Sequence, residues 1–513
     1  MDNTYHNSNN SSIPVRKRRF IKDALILTVI VIAMRAVGTA FMIYISNMIG
    51  AEGIGLYQLT FSVYLLFITL STSGISLAVT RIVSEQIAMK NTIAAKCAFK
   101  RCILISIIIS IISGLLLFFL AEPLSIHVVK DTRTITALKL LAVGLPFLSI
   151  GSAIRGFFLG LQKGVKAAST DIVEQFVQII ATIPILIYAV PKGLEAACCG
   201  LIIGATISEI FSCIYAVILY KIEKMPLVGR KAKGTNKQIF SIAIPIAISS
   251  YIRSALTSIE NILVPRGLRQ FGQTSGEALS QYGMIKGMAM PLLYFPSAIL
   301  SAFSNLLVPE VSAANALKSK KRIDYIVNKC FKVTLIFAFL IMGIFICFYK
   351  EIGLAFYKDA KVGSLLLVFA PLVPLMYLDM VVDSILKGLN QQMSSMKYNT
   401  ADSALRALII FFLVPLLGLK GYVIMLYFGT IFNALLSINR LIVVSKIRFH
   451  FVQWVLLPCT AIALACLFTK FFVHTGIFFS MIMVCVCYMA LLMFMGCITK
   501  RDWAWAIHVF YKK

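Results

Sequence analysis

Apolar runs of about twenty residues, each closed by a short polar stretch, follow one another along nearly the whole chain. Fourteen such segments fall near 24–49, 56–80, 101–121, 136–160, 171–190, 194–219, 238–264, 282–308, 330–349, 363–386, 398–417, 421–443, 452–472 and 476–498. Helices of this length satisfy their own backbone hydrogen bonds inside hydrocarbon. The weak alternation of an outer-membrane barrel strand is absent. The pattern therefore predicts an all-α polytopic membrane protein. With 59% hydrophobic and 14% charged residues among 513, the composition agrees, since soluble domains carry about 25% charged residues.

Comparing the chain with itself divides these segments. At one constant offset Pro146 meets Pro374, Gly160-Leu161-Gln162 meets Gly388-Leu389-Asn390, Glu174 meets Asp402, and Lys192-Gly193 meets Lys420-Gly421. Nearer the start, Tyr57 pairs with Tyr282 and Glu85 with Glu310 at an offset three residues smaller. Six helices thus repeat as six in the same orientation, and two remain. The organisation expected is a disordered cytoplasmic tail (1–23), a six-helix lobe (24–228), a basic linker (229–237), a second lobe (238–443), two accessory helices (452–498) and a cytoplasmic tail (499–513). Parallel repeats of this kind place a substrate between two bundles.

The formal charge of +28 would fit a nucleic-acid partner if it gathered on one face. It is instead spread over alternate loops, roughly 32 Lys and Arg against roughly 10, so it sets topology and no nucleic acid is expected. The richer side holds both termini, which places them in the cytoplasm and the chain in the cytoplasmic membrane. The first residues lack the small-residue cleavage pattern of a secretory signal. Five isolated histidines and twelve cysteines mostly inside apolar segments show no metal-ligand spacing, and nothing resembles an ATP-binding loop. No cofactor and no enzymatic chemistry are expected. An integral-membrane enzyme would need a large loop or a clustered acid-base site.

The informative charges lie inside the apolar segments. Arg35 stands near the middle of the first, where an arginine costs about 2.5–3.5 kcal/mol on insertion scales. Its helix face carries Thr28, Thr39, Met42 and Ser46. The seventh segment carries Ser249, Arg253, Thr257, Glu260 and Asn261 on one face. Arg35, Arg253, Lys286, Thr39, Thr257 and Asn261 are the expected substrate-binding set, the two arginines coming one from each lobe to a hydrated central cavity. Paired guanidinium forks suit a diphosphate. Arg81, Glu85, Glu310, Asp379 and Asp383 are candidate gate or ion-coupling residues. The alternative for Arg253 is an ion pair with Glu260, and for Asp383 an ion pair with Lys387. Arg155, opposite Asp383 in the repeat, reads as a structural ion-pair residue. Glu209 has no evident partner. No dominant acidic site is evident in the first lobe, as an organic-cation antiporter would require.

Three stretches, "IGAEGIGLYQL", "GISLAVTRIVSEQIA" and "RGFFLGLQKGVKAASTDIVEQFVQI", resemble the stage V sporulation protein B group. That group belongs to the polysaccharide-transporter branch of the multidrug/oligosaccharidyl-lipid/polysaccharide exporter superfamily. The resemblance covers most of residues 20–450. It implies two six-helix lobes opening alternately to each side, and a function like that of the lipid II flippases with the same fourteen-helix plan. It also implies that Arg35, then Arg253, binds the diphosphate of a lipid-linked anionic sugar, while the last two helices, with Phe471, Phe472, Phe478 and Phe479, border the polyprenyl tail. Membrane lipids, and H+ or Na+ as coupling ion, complete the expected partners. A drug antiporter and a scaffold for cell-wall enzymes are the alternatives.

Overall fold

The computed structural model describes residues 12–224, 226, 228–230, 235–446, 450–472 and 476–497; residues 1–11 of the expected tail 1–23, the whole expected tail 499–513 and part of the linker lie outside them. Every element among the described residues is helical. In order they are α1 (Ser12–Thr72), α2 (Ile75–Ala88), α3 (Thr92–Pro123), α4 (Thr134–Gly160), α5 (Gly164–Ala189), α6 (Leu194–Ile222) and α7 (Thr235–Gln270). Then come α8 (Ser275–Gly283), α9 (Met290–Tyr294), α10 (Ser297–Ala316), α11 (Lys320–Cys347), α12 (Tyr349–Tyr357), α13 (Ala360–Phe369) and α14 (Val373–Gly388). The last four are α15 (Gln392–Leu417), α16 (Leu419–Ser445), α17 (Leu457–Phe472) and α18 (Ile477–Phe494).

Twelve helices among the described residues are long and apolar enough to cross a membrane, against the fourteen expected. The difference comes from the two ends: the first two expected spans run together in one helix, and the last is a shorter apolar helix, Phe479–Phe494. Thr28–Ala88 counts once although it holds 61 residues, about three bilayer cores at 1.5 Å per residue. It is broken at Gly50 (φ 72°) and Gly74 (φ 80°). The expected segment 282–308 is not one helix: a π-helical turn at Met284–Ala289 and the short α9 precede α10. Pro291 opens α9 and Pro296 caps α10, where the missing N–H is tolerated. Pro371 and Pro374 likewise sit at the joint of α13 and α14.

The repeat is visible in the backbone. Lys90, Lys130 and Gln162 have left-handed φ of 56°, 57° and 59°. Lys318, Lys358 and Asn390 have 50°, 54° and 60°. The two sets share one offset of 228 residues (90 to 318, 130 to 358, 162 to 390). A non-glycine residue in this region is uncommon, so three in matching register mark two copies of one helical plan.

The chain divides into two compact units. The first takes residues 1–41 and 56–262, the second 42–55 and 263–513, so the division falls within α1 and α7. In the first unit Phe99 packs on Phe157 (centroids 4.4 Å apart) and Tyr220 closes on both, around Ile75, Val79 and Ile154. Serines bind helices to one another directly: Ser106 Oγ lies 2.6 Å from Ser149 Oγ, which donates to the Ser71 carbonyl (2.8 Å). In the second unit Tyr377 donates to the Leu293 carbonyl (2.6 Å) and Tyr357 to that of Met288 (3.1 Å), anchoring the broken stretch. The accessory helices pack on α11, where Tyr488 donates to the Ile336 carbonyl (3.0 Å) and Ile462 fills the space over Gly343.

Beyond the end of α6, Glu223 receives Lys163 and, at 2.7 Å, Lys166 from the turn before and first turn of α5. Burial opposes its ionisation, but the two lysines outweigh this and hold the carboxyl below its usual range. A depressed folded-state pKa gives stability that is full above the unfolded value and lost as pH falls through the folded one. The melting temperature of Glu223→Gln is therefore expected to lie below wild type at pH 7. The gap should close as pH drops below the ordinary carboxylate range; a gap that persists there would assign the clasp to packing.

Candidate functional site

Arg35 is exposed on α1 and Arg253 on α7, and among the described residues neither forms an ion pair. Both fall in the first unit, because that unit keeps α7 as far as Ile262. The two positions share a local geometry: Thr39 Oγ1 donates to the Arg35 carbonyl (2.9 Å), and Thr257 Oγ1 to the Arg253 carbonyl (3.0 Å). Those hydroxyl protons are committed to their own helices. Thr39 and Thr257 thus offer a ligand acceptor lone pairs, leaving the guanidiniums as the donors.

Packing explains why Arg253 stays outside. Its neighbours Ser254 and Ser258 bury themselves against α1, Ser254 donating to the Leu65 carbonyl (3.2 Å) and Ser258 to that of Ser62 (2.6 Å). Tyr251 donates to the Leu70 carbonyl (2.9 Å). This serine face turns Ile252, Arg253 and Ile259 outward. Glu260 is buried and engaged, and Asn261 is half-buried with its Oδ1 unpartnered among the described residues. On α1, Gly38 abuts Gln175 of α5; a Cβ there would stand 2.7 Å from its Nε2. Arg35 thus lies a turn from the polar face of α5.

That face holds a cluster that sequence reading missed. Arg155 of α4 binds Asp171 (3.3 Å) and Glu174 (3.2 Å) of α5. Glu209 of α6 is within electrostatic reach of Glu174 and Arg155, and accepts a hydrogen bond from Tyr64 (3.4 Å). Its Oε2 is buried and unpartnered among the described residues, seated where a Cβ on Gly144 would be 2.1 Å away. Three carboxylates around one guanidinium do form an acidic site in the first unit, contrary to the sequence expectation. Asp171, Glu174 and Glu209 lie on two helices and across a 35-residue gap (174 to 209), so only folding brings them together.

The second unit carries a counterpart on α14, α15 and α16. Asn433 Nδ2 donates to Asp379 Oδ2 (2.9 Å) and to Asn399 Oδ1 (3.2 Å), and Ser437 also hydrogen-bonds Asp379. Arg406 binds Asp402 (2.8 Å), the repeat partner of Glu174. Asp379, Arg406, Thr430, Asn433 and Tyr294 line a cavity of about 90 Å³, room for water. Asp383 is bound by Lys387 (2.6 Å) and Ser395, so it is neutralised locally while Asp379 is not. Breaking a buried pair by removing one partner costs about 3–5 kcal/mol. Asp402→Ala is expected to lower stability towards that range, and the double change with Arg406→Ala to recover part of it, read by denaturant unfolding.

The remaining expected residues are engaged. Lys286 is half-buried in the π-helical turn and has partners of its own. Arg81 binds Glu85 (2.9 Å), and Glu310 binds Arg322 (3.6 Å), both pairs well exposed.

Two helical units built on one plan, with polar networks inside membrane-length helices, define a multi-pass membrane protein of transporter-like fold. The chain belongs to the family described as Polysaccharide biosynthesis protein, which it matches over residues 20–315, more than half its length. It is 26% identical to Stage V sporulation protein B of Bacillus subtilis (strain 168), over 82% of this chain and 83% of that one. It is 23% identical to Lipid II flippase MurJ of the same organism, over 73% of each. Among solved structures it is similar to lipid II flippase MurJ in an inward closed conformation (TM-score 0.71, 13% identity, 92% of this chain and 98% of that). An inward-facing multidrug resistance transporter of the MATE family, in the MOP superfamily, gives TM-score 0.65 at 14% identity, over 82% and 99%.

Proposed function

We propose that this protein is a flippase that moves a polyprenyl-diphosphate-linked oligosaccharide or peptidoglycan precursor from the cytoplasmic to the outer leaflet by alternating access. The observation that carries the reading is a pair of guanidiniums, Arg35 and Arg253, exposed within membrane-length helices and free of ion pairs among the described residues. A cation at such depth is costly unless its surroundings are wet or anionic. A diphosphate meets both guanidiniums with charge-assisted, bidentate hydrogen bonds. The relatives named for sporulation and for lipid II flipping support this substrate class. The protein sits in the cytoplasmic membrane with both termini inside, in line with the charge bias of its loops.

Energy enters without a chemical step on the protein. Outward movement of a net anion is favoured by a potential negative inside, at about 2.3 kcal/mol per charge per 100 mV. The carboxylates around Arg155 and the Asp379–Asn433 network are the places for a coupling H+ or Na+. The same first-unit acidic cluster favours a second reading, antiport of an organic cation. The deciding experiment reconstitutes the protein in liposomes with labelled lipid-diphosphate oligosaccharides and follows their accessibility to an external probe. Movement above protein-free vesicles is the expected result. None across several sugar types, with transport of an organic cation instead, would replace the flippase reading; none of either would leave a scaffold.

A further inference from the structure

The motif "IGAEGIGLYQL" is not used by the arginine site, and the structure shows what it builds. Gly50, at φ 72°, breaks α1. Five residues on, Gly55 brings that helix against α8 so closely that a Cβ would stand 2.0 Å from the Leu279 carbonyl oxygen. Gly283 of α8 makes the reciprocal approach, 2.0 Å from the Ala51 carbonyl oxygen. Asn47 fixes the preceding turn by donating to the Phe356 carbonyl (2.8 Å). Held between these points, Glu52 lies at the wall of a cavity of about 850 Å³ within the second unit. The start of α13, with Lys361 and Ser364, and the segment of Gln273, Ser280 and Gln281 line the same cavity.

The volume falls in the range of ligand-holding clefts, about 300–1,000 Å³. The wall mixes amides, hydroxyls, two carboxylates (Glu52 and Glu277) and one ammonium (Lys361), so it offers donors and acceptors in turn and no preference for an anion. Gln273 Oε1 and Gln281 Oε1 are buried acceptors with no partner among the described residues. A buried acceptor left unmade is costly, and a ligand rich in hydroxyl donors satisfies it. Met284, Leu365 and Val368 supply an apolar strip for C–H faces. We propose that this cavity is a binding site for a polyhydroxylated ligand of di- or trisaccharide size, distinct from the arginine site. That its natural occupant is the sugar head group of the exported lipid rests on the flippase reading; a free glycan has the same chemistry.

The test uses the full chain in lipid nanodiscs and saturation-transfer NMR with N,N′-diacetylchitobiose and cellobiose. Wild type is expected to transfer saturation to at least one disaccharide. Gln281→Leu, which removes the amide and keeps the volume, should reduce that signal at least fivefold at an unchanged melting temperature. Ser364→Ala, on the exposed wall, is the second variant and decides the matter if Gln281→Leu does not fold. Arg35→Ala should keep the signal, so loss of the flippase reading and loss of this site are told apart. Absence of transfer from both sugars in folded wild type, or a signal untouched in the folded variants, overturns the proposal. Labelling of Ser280→Cys by a membrane-impermeant maleimide separates the sources. Protection by soluble disaccharide identifies a free glycan, and protection only by lipid-linked sugar in the same nanodisc identifies the exported head group; no protection by either overturns it.

Discussion

Arg35→Ala is expected to weaken binding of a polyprenyl-diphosphate lipid by roughly ten- to a hundredfold and to lower its translocation with it. A hydrogen bond to a charged group contributes about 1.5–3 kcal/mol. Arg35→Lys should fall between, since an ammonium keeps the charge and loses the bidentate fork. Arg253→Ala should lose a similar amount, and the double change less than the sum if both guanidiniums hold one diphosphate. Folding should be indifferent, because both side chains are exposed and free of ion pairs among the described residues. Binding can be read by quenching of a labelled lipid diphosphate in nanodiscs at constant ionic strength. Unaltered affinity in Arg35→Ala and Arg253→Ala alike would remove the diphosphate clamp while leaving the fold in place.

How much of this is legible in the sequence differs between backbone and side chains. The repeat is readable because its markers are local: Gly160-Leu161-Gln162 and Gly388-Leu389-Asn390 close matching helices, and Gln162 and Asn390 share a left-handed φ. The breaks at Pro291, Pro296, Pro371 and Pro374 are readable because proline acts on its own turn. The boundary between the first two expected segments, 24–49 and 56–80, is readable because Gly50, at φ 72°, breaks the run between them. The acidic cluster is not legible, because Arg155, Glu174 and Glu209 meet across three helices and nothing in their spacing announces it. Asp383 shows the converse: its i, i+4 partner Lys387 is visible in the sequence and is the partner found. Unit membership of Arg253 is hidden for a different reason. It depends on Ser254 and Ser258 seeking α1 carbonyls, a preference hydropathy does not express.

Gly55→Ala is expected to destabilise the second unit more than alanine at Gly50 or Gly476, and this graded series separates the physical causes. At Gly476 no atom lies within 4 Å of the position a Cβ would take and φ is −55°, so alanine there should leave the melting temperature unmoved. Gly50 has equally open surroundings but φ of 72° with ψ of 177°, a region essentially reserved to glycine, so alanine meets backbone strain alone, about 1–3 kcal/mol. Gly55 has no positive φ; its difficulty is the Leu279 carbonyl oxygen 2.0 Å away, with the carbonyl carbon at 2.8 Å. Both atoms are backbone, so no rotamer change relieves the contact and α8 must move off α1. Overpacking of this kind costs about 1–3 kcal/mol and occasionally more, and the displaced helix also carries Gln281 and Glu277 out of the cavity wall. Gly283→Ala, facing the Ala51 carbonyl oxygen at the same 2.0 Å, should behave alike. Thermal unfolding in one detergent should rank the variants Gly476→Ala, then Gly50→Ala, then Gly55→Ala and Gly283→Ala, in falling order of melting temperature. If Gly55→Ala melts with Gly476→Ala, the close helix contact is not what holds Glu52 in place, and the wall of the cavity has another support.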